Sequence, residues 1–185
     1  MENFNFEKYA PDCGWWDSVY DDAKTIGALI GFDIAEIYFS GFHSQGDGAC
    51  FTGRVQYRKG AAKAVREYAP RDVELHRIAD EWAELQRRNF YSISGKVSHT
   101  GQYSHSHSTS FDWEDSRNGY GCTNDGFDED LFQTVCRNFM DWIYARLEDE
   151  HEYQSAWELA RAWDDLAENM REEKSAAREL VSAMR

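Results

Sequence analysis

The sequence predicts an α+β domain: an antiparallel sheet of two β-hairpins, helices packed on one face, and a long C-terminal helix or helix pair. Three observations carry this. Two pairs of strand-like runs, over residues 34–58 and 91–113, are rich in aromatic and β-branched residues and are joined by turn residues. Helical periodicity lies before, between and after these pairs, so helices and strands do not alternate one by one. From Asp128, apolar residues recur at helical spacing almost to the end of the 185-residue chain.

Taken in order, "DSVYDDAKTIGALIG" over 17–31 is the first helix, with Asp17 or Ser18 as its cap, acids in its first turn and Gly31 at its end. Residues 34–42 and 49–58 are two strands, in which Ile37 and Phe39 alternate with Tyr38 and Ser40. "GAAKAVREYA" is a short helix. Pro70 suits the first turn of the next helix, which runs to Arg88 with Leu75, Ile78, Ala79, Trp82 and Leu85 on one face. Residues 91–99 and 104–113 form the second hairpin, followed by a loop, "EDSRNGYGCTNDGFDED". In the C-terminal region Phe132, Val135, Cys136, Phe139, Ile143 and Leu147 mark an apolar stripe. Tyr153, Trp157, Ala160, Trp163 and Met170 continue it, with a break expected near 151–155. Phe132, Phe139 and Ile143 are expected to pack on the sheet, and Gly41–Gly48 to sit at or beside a turn.

Length fits one domain over 1–185, comprising an α/β-hairpin part (1–127) and an acidic helical part (128–185). Apolar residues make up 42% and aromatics 15% of the chain, enough for a substantial core. No run of about 18 apolar residues is present and the start lacks a signal-peptide pattern, so a cytoplasmic location is expected. Cys13, Cys50, Cys122 and Cys136 never form C-x-x-C and read as reduced thiols, Cys136 as core.

The formal net charge of −14 is unevenly spread. Residues 53–98 carry ten Lys or Arg against six Asp or Glu, and residues 125–185 carry seven against sixteen, local balances of +4 and −9. This argues against direct nucleic-acid binding and for a positively charged partner surface. The acids proposed to meet it are Glu148, Asp149, Glu150, Glu152, Asp164, Asp165, Glu172 and Glu173, of which helical spacing places about half on one face. A solvated helix face is the plainer reading of that run, and Trp157 and Trp163 read first as core.

Candidate sites elsewhere are sparse. "SQGDGA" lacks the spacing of a nucleotide loop, and Asp47 alone cannot make an EF-hand; the turn reads as a hairpin connection, with Asp47 and Gln102 as possible loop contacts to a partner. His105 and His107 share a strand face with Thr109, Phe111 and Trp113 if 104–113 is extended, and His99 sits across the turn. Those three imidazoles are the alternative metal site, with Asp112 or Glu114 as an acid, but no further ligand completes it, and no metal or other cofactor is expected. Asp128, Glu129 and Asp130 read as a helix cap with dipole compensation. Arg54, Arg58, Lys59 and Lys63 are the alternative basic patch of a regulatory binder. No nucleophile appears with its base, so a binding protein is expected rather than an enzyme.

"FSGFHSQGDGACF" (39–51) together with "SGKVSHTGQYSHSHSTSFDWE" (94–114) resembles a pattern in small proteins carried by phages and prophages. The resemblance covers about a third of the chain and implies an origin in mobile elements. Small acidic phage proteins are often inhibitors of host defence, including anti-CRISPR proteins that mimic nucleic acid. The resemblance therefore implies an inhibitor that occupies a basic nucleic-acid channel on a host protein or ribonucleoprotein complex in the host cytoplasm. A metal-dependent enzyme and an antitoxin-like regulatory module are the alternatives.

Overall fold

The computed structural model describes residues 14–117 and 127–183. They fall into two units: residues 17–148 form one, and the second contains the described residues 14–16 and 149–183. In the first unit the order is α1 (Asp17–Ile30), β1 (Phe32–Ser40), β2 (Gly48–Gln56), α2 (Ala61–Tyr68), α3 (Val73–Arg88), β3 (Ile93–His99), β4 (Thr109–Asp115) and the first part of α4 (Glu129–Ala183). The four strands form one antiparallel sheet in the order β1-β2-β3-β4. The α+β architecture with a long C-terminal helix is the one the sequence predicts.

The sheet has one apolar and one polar face because side chains alternate along each strand. Phe32, Ile34, Ile37, Phe51, Val55, Ile93 and Val97 are buried and meet the helices. On the other face the register aligns Asp33, Arg54, Lys96 and Asp112 in one row across all four strands. A bulge at Ala35, between Ile34 and Glu36, keeps Ile34 and Ile37 on the core side although they are three residues apart.

The helices supply Ile26 and Ile30 from α1, Leu75, Ile78, Trp82 and Leu85 from α3, and Phe132, Phe139, Met140 and Ile143 from α4, all fully buried. Phe139 joins α4 to the sheet, its ring 5.6 Å from Phe32 and 6.1 Å from Phe51. Phe132 lies over Gly95, where an added Cβ would come within 2.6 Å of the Phe132 ring, so the close approach of helix and strand needs glycine. Gly31 ends α1 at φ 97, donating its N–H to Gly27 O, as the sequence anticipates.

Side chains fix the helix ends. Asp72 caps α3, accepting from Leu75 N at 3.0 Å with one oxygen and from Trp142 Nε1 at 2.9 Å with the other, which ties α3 to α4. Asp128 accepts from Leu131 N at 2.9 Å, the capping role expected of it.

Four expectations are corrected. Pro70 lies ahead of the Asp72 cap and outside α3, because the Asp72 side chain sets the start two residues later. Residues 104–108 are not strand: a short 3₁₀ turn, Ser106–Ser108, precedes β4, so β4 begins only at Thr109. The break near 151–155 is absent, since nothing there (no Pro and no Gly) interrupts the hydrogen-bond ladder and α4 is continuous. The α4 core stripe ends at Leu147, and Tyr153, Trp157, Trp163 and Met170 are exposed. Cys13, Cys122 and most of the loop after β4 lie outside the described residues.

Candidate functional site

The stretch of α4 from Asp149 to Ala183 carries ten Asp or Glu against four Lys or Arg, a balance of −6. Helix geometry sorts these charges, since each residue advances about 100° around the axis. Asp164, Glu168 and Glu172 follow one another at four-residue spacing, and Glu179 lies seven residues beyond Glu172, so all four share one side. Glu150, Trp157 and Asp164, each seven apart, continue that side toward the N-terminus, with Tyr153 beside them. Tyr153 is 65% and Trp157 49% exposed, so two aromatic rings interleave with the acids. Arg161 sits in the same row, its guanidinium 4.8 Å from the Trp157 ring centre and 3.4 Å from the buried Glu158 carboxylate. Asp164, Glu168 and Glu172 form no ion pair among the described residues, so their charge reaches solvent uncompensated.

The eight acids proposed from sequence therefore divide. Glu150, Asp164, Asp165 and Glu172 lie on or beside this row, and Asp149 is exposed at its edge. Glu148 belongs to the first unit, while Glu152 and Glu173 point to the other side of the helix. Glu168 and Glu179 were missed, although the four-residue spacing from Asp164 would have found Glu168 and a seven-residue step from Glu172 would have found Glu179. Trp157 and Trp163 are corrected from core to surface. In the second unit Ala162 is buried, and Trp15 packs its ring 5.3 Å from His151 and 5.6 Å from Trp16.

The two hairpin loops meet at one end of the sheet. In the first, Asp47 folds the turn around its own carboxylate, which accepts from His43 N at 2.9 Å and Ser44 N at 2.6 Å. This accounts for the aspartate between glycines in "SQGDGA" as turn chemistry. Tyr144 of α4 donates to Gly41 O at 3.1 Å and anchors the loop. In the second, Gln102 is exposed, and Ser40 Oγ donates to Ser104 O across the gap.

The histidines do not line one strand face, because the 3₁₀ turn removes His105 and His107 from the β4 alternation. His105 Nδ1 accepts from His107 N at 3.0 Å and the two rings stack at 5.2 Å, while His99 stacks on Tyr38 and hydrogen-bonds Tyr103 O. Among the described residues no group of three His, Cys, Asp or Glu is placed to hold a metal ion.

The basic residues gather only in part: Arg58 and Lys63 line one pocket together with Arg87, while Arg54 stands apart from it. Arg54 lies on the open sheet face, Arg58 donates to Ala28 O at the end of α1, and Lys63 pairs with Glu67 along α2. Cys50 and Cys136 are free and buried, and burial pushes the Cys50 thiol up to about 11 and Cys136 higher still. Among the described residues no helix is long and apolar enough to cross a membrane.

Residues 15–156 match the domain of unknown function DUF8835, and the chain belongs to that family. The match ends inside α4, ahead of the row from Trp157 to Glu179. No curated protein and no solved structure matches the chain.

Proposed function

We propose that this member of the DUF8835 family acts by binding, as a phage-type inhibitor that occupies a basic nucleic-acid channel on a host defence complex. The observation that carries the reading is the row of Glu150, Asp164, Glu168, Glu172 and Glu179, with exposed Tyr153 and Trp157 among them. Carboxylates repeating along a rigid rod offer negative charge to an arginine- and lysine-lined groove as a phosphate backbone does. The aromatic rings add apolar contact, the residue type that dominates interface energetics. The resemblance of the hairpin segments to phage and prophage proteins supports the anti-defence setting, including the anti-CRISPR class.

The test begins with co-purification of the partner from a bacterial host lysate and identification by mass spectrometry. A triple reversal, Asp164→Lys, Glu168→Lys and Glu172→Lys, should abolish capture while leaving the fold intact, because exposed charges contribute little to stability. Association should weaken steeply as salt rises, and most of the loss should fall on the on-rate. Capture that survives both the reversal and high salt removes this row from the contact. Failure of the protein to displace nucleic acid from the captured partner removes the mimicry.

A further inference from the structure

The turn from β2 into α2 opens onto a pocket in the first unit that the acidic row does not use. Its volume is about 470 Å³, within the range of small-molecule sites. Tyr57, Arg58, Lys63, Trp82, Arg87 and Tyr91 line it, together with residues 60–62.

One part of the pocket suits an anion. Gly60, at φ 82, starts α2 with no side chain capping it. Ala61 N donates to Arg58 O and Ala64 N to Gly60 O, which leaves the N–H groups of Ala62 and Lys63 open among the described residues. Open donors at the positive end of a helix dipole favour negative charge. The side chains agree, although the chain as a whole carries −14. Asp80 is held by Arg66, Glu84 by both Arg87 and Arg88, and Lys63 by Glu67. Arg58 donates to a carbonyl, Ala28 O, so its charge is not cancelled. Five bases against three acids leave this cluster at +2.

The other part suits a flat ring. Phe90 and Tyr91 are consecutive non-glycine residues at positive φ, 54 and 61. That backbone is costly and recurs at ligand clamps. Here it sets the half-exposed Tyr91 ring 4.3 Å from the ring of Tyr57. Trp82, on the pocket wall, is fully buried, and its indole N–H has no hydrogen-bond partner among the described residues. A buried donor left without an acceptor is unfavourable, and a ligand acceptor in the pocket would satisfy it.

We propose that this pocket binds a mononucleotide, with its phosphate at the N-terminus of α2 beside Arg58 and Lys63 and its base against the Tyr57 and Tyr91 rings. Phosphate alone leaves the rings unused, and a neutral aromatic leaves the helix end and the surplus positive charge unmatched. A nucleotide answers both, because bases stack on aromatic side chains and phosphates seat on open helix N–H groups. The acidic row lies outside this pocket, so the proposal does not rest on the inhibitor reading.

Calorimetric titration of the whole protein with the four ribonucleoside 5′-monophosphates, their nucleosides and inorganic phosphate tests this. At least one nucleotide should bind with a Kd of about 10–500 µM, and its nucleoside and inorganic phosphate should each bind at least about tenfold more weakly. Lys63→Glu puts a carboxylate at the start of α2, where the dipole favours it, so the fold should hold while affinity for the nucleotide falls at least about tenfold. Tyr91→Gly removes the ring and suits the positive φ, so it too should melt cooperatively and bind at least about tenfold more weakly. Asp164→Lys, on the acidic row, should leave nucleotide binding unchanged. No saturable binding of any nucleotide up to about 5 mM overturns the proposal, as does a nucleotide that binds both folded variants as tightly as the parent. Inorganic phosphate or the nucleoside binding as tightly as the nucleotide also overturns it, since one half of the pocket would then contribute nothing.

Discussion

Replacing Phe139 with Ala tests the central joint between α4 and the sheet. The side chain is fully buried, with its ring edge-on to Phe32 at 5.6 Å and to Phe51 at 6.1 Å, and stacked on Trp142 at 5.6 Å and 9°. Truncation removes the transfer energy of a buried aromatic, about 1.5–3 kcal/mol, and adds the cost of a cavity that three fixed rings cannot collapse to fill. The expected loss is about 3–5 kcal/mol, a large part of the whole stability of a domain this size. The melting temperature should fall by roughly 10 °C, since each kcal/mol moves it about 2–4 °C at this length. Urea unfolding followed by tryptophan fluorescence measures the loss. Tyr153→Ala, which removes a ring of similar size that is 65% exposed, is the control and should cost less than about 1 kcal/mol. Equal losses for the two variants, or a loss under about 1 kcal/mol for Phe139→Ala, would refute the packing argument.

Three further outcomes follow from other joints. The buried Asp115 carboxylate accepts from Arg117 N at 2.9 Å and from its guanidinium at 2.7 Å and 3.1 Å, which holds it well below the usual carboxylate range. A depressed folded value means stability that is present above about pH 4 and lost as pH falls toward the folded value. Asp115→Asn should therefore be destabilised by about 1–3 kcal/mol near neutrality, and the gap to the parent should close in acid melts. Gly95→Ala should cost about 1–3 kcal/mol in a thermal melt, because its Cβ meets the Phe132 ring at 2.6 Å and Asp112 O at 3.0 Å. A thiol reagent at pH 8 should leave Cys50 and Cys136 unmodified in the folded protein and reach both after denaturation, as burial keeps both protonated.

The parts of the fold that were legible in the sequence are those where one local rule governs. Period-two alternation located β1 and β2, a glycine needing positive φ ended α1, and the 3.6-residue stripe from Phe132 to Leu147 found the buried side of α4. Reading failed where two rules overlapped. Ser and His at 104–108 alternate like a strand, but the backbone closes a 3₁₀ turn there, with His105 N and O both hydrogen-bonded locally. The candidate site was half legible. The acidic excess was plain, yet summing charge by segment hid that Glu152 and Glu173 leave the row and that Glu168 and Glu179 join it.

Trp163 explains the largest misreading and connects the two faces of the exposed helix. Two apolar periods run through α4: one near 3.6 residues ending at Leu147, buried under the sheet, and one near 3.5 beginning at Ala156. Read as one stripe, they force Trp163 into the core; read as two, they place it on a side that turns away from Asp164 and Glu168.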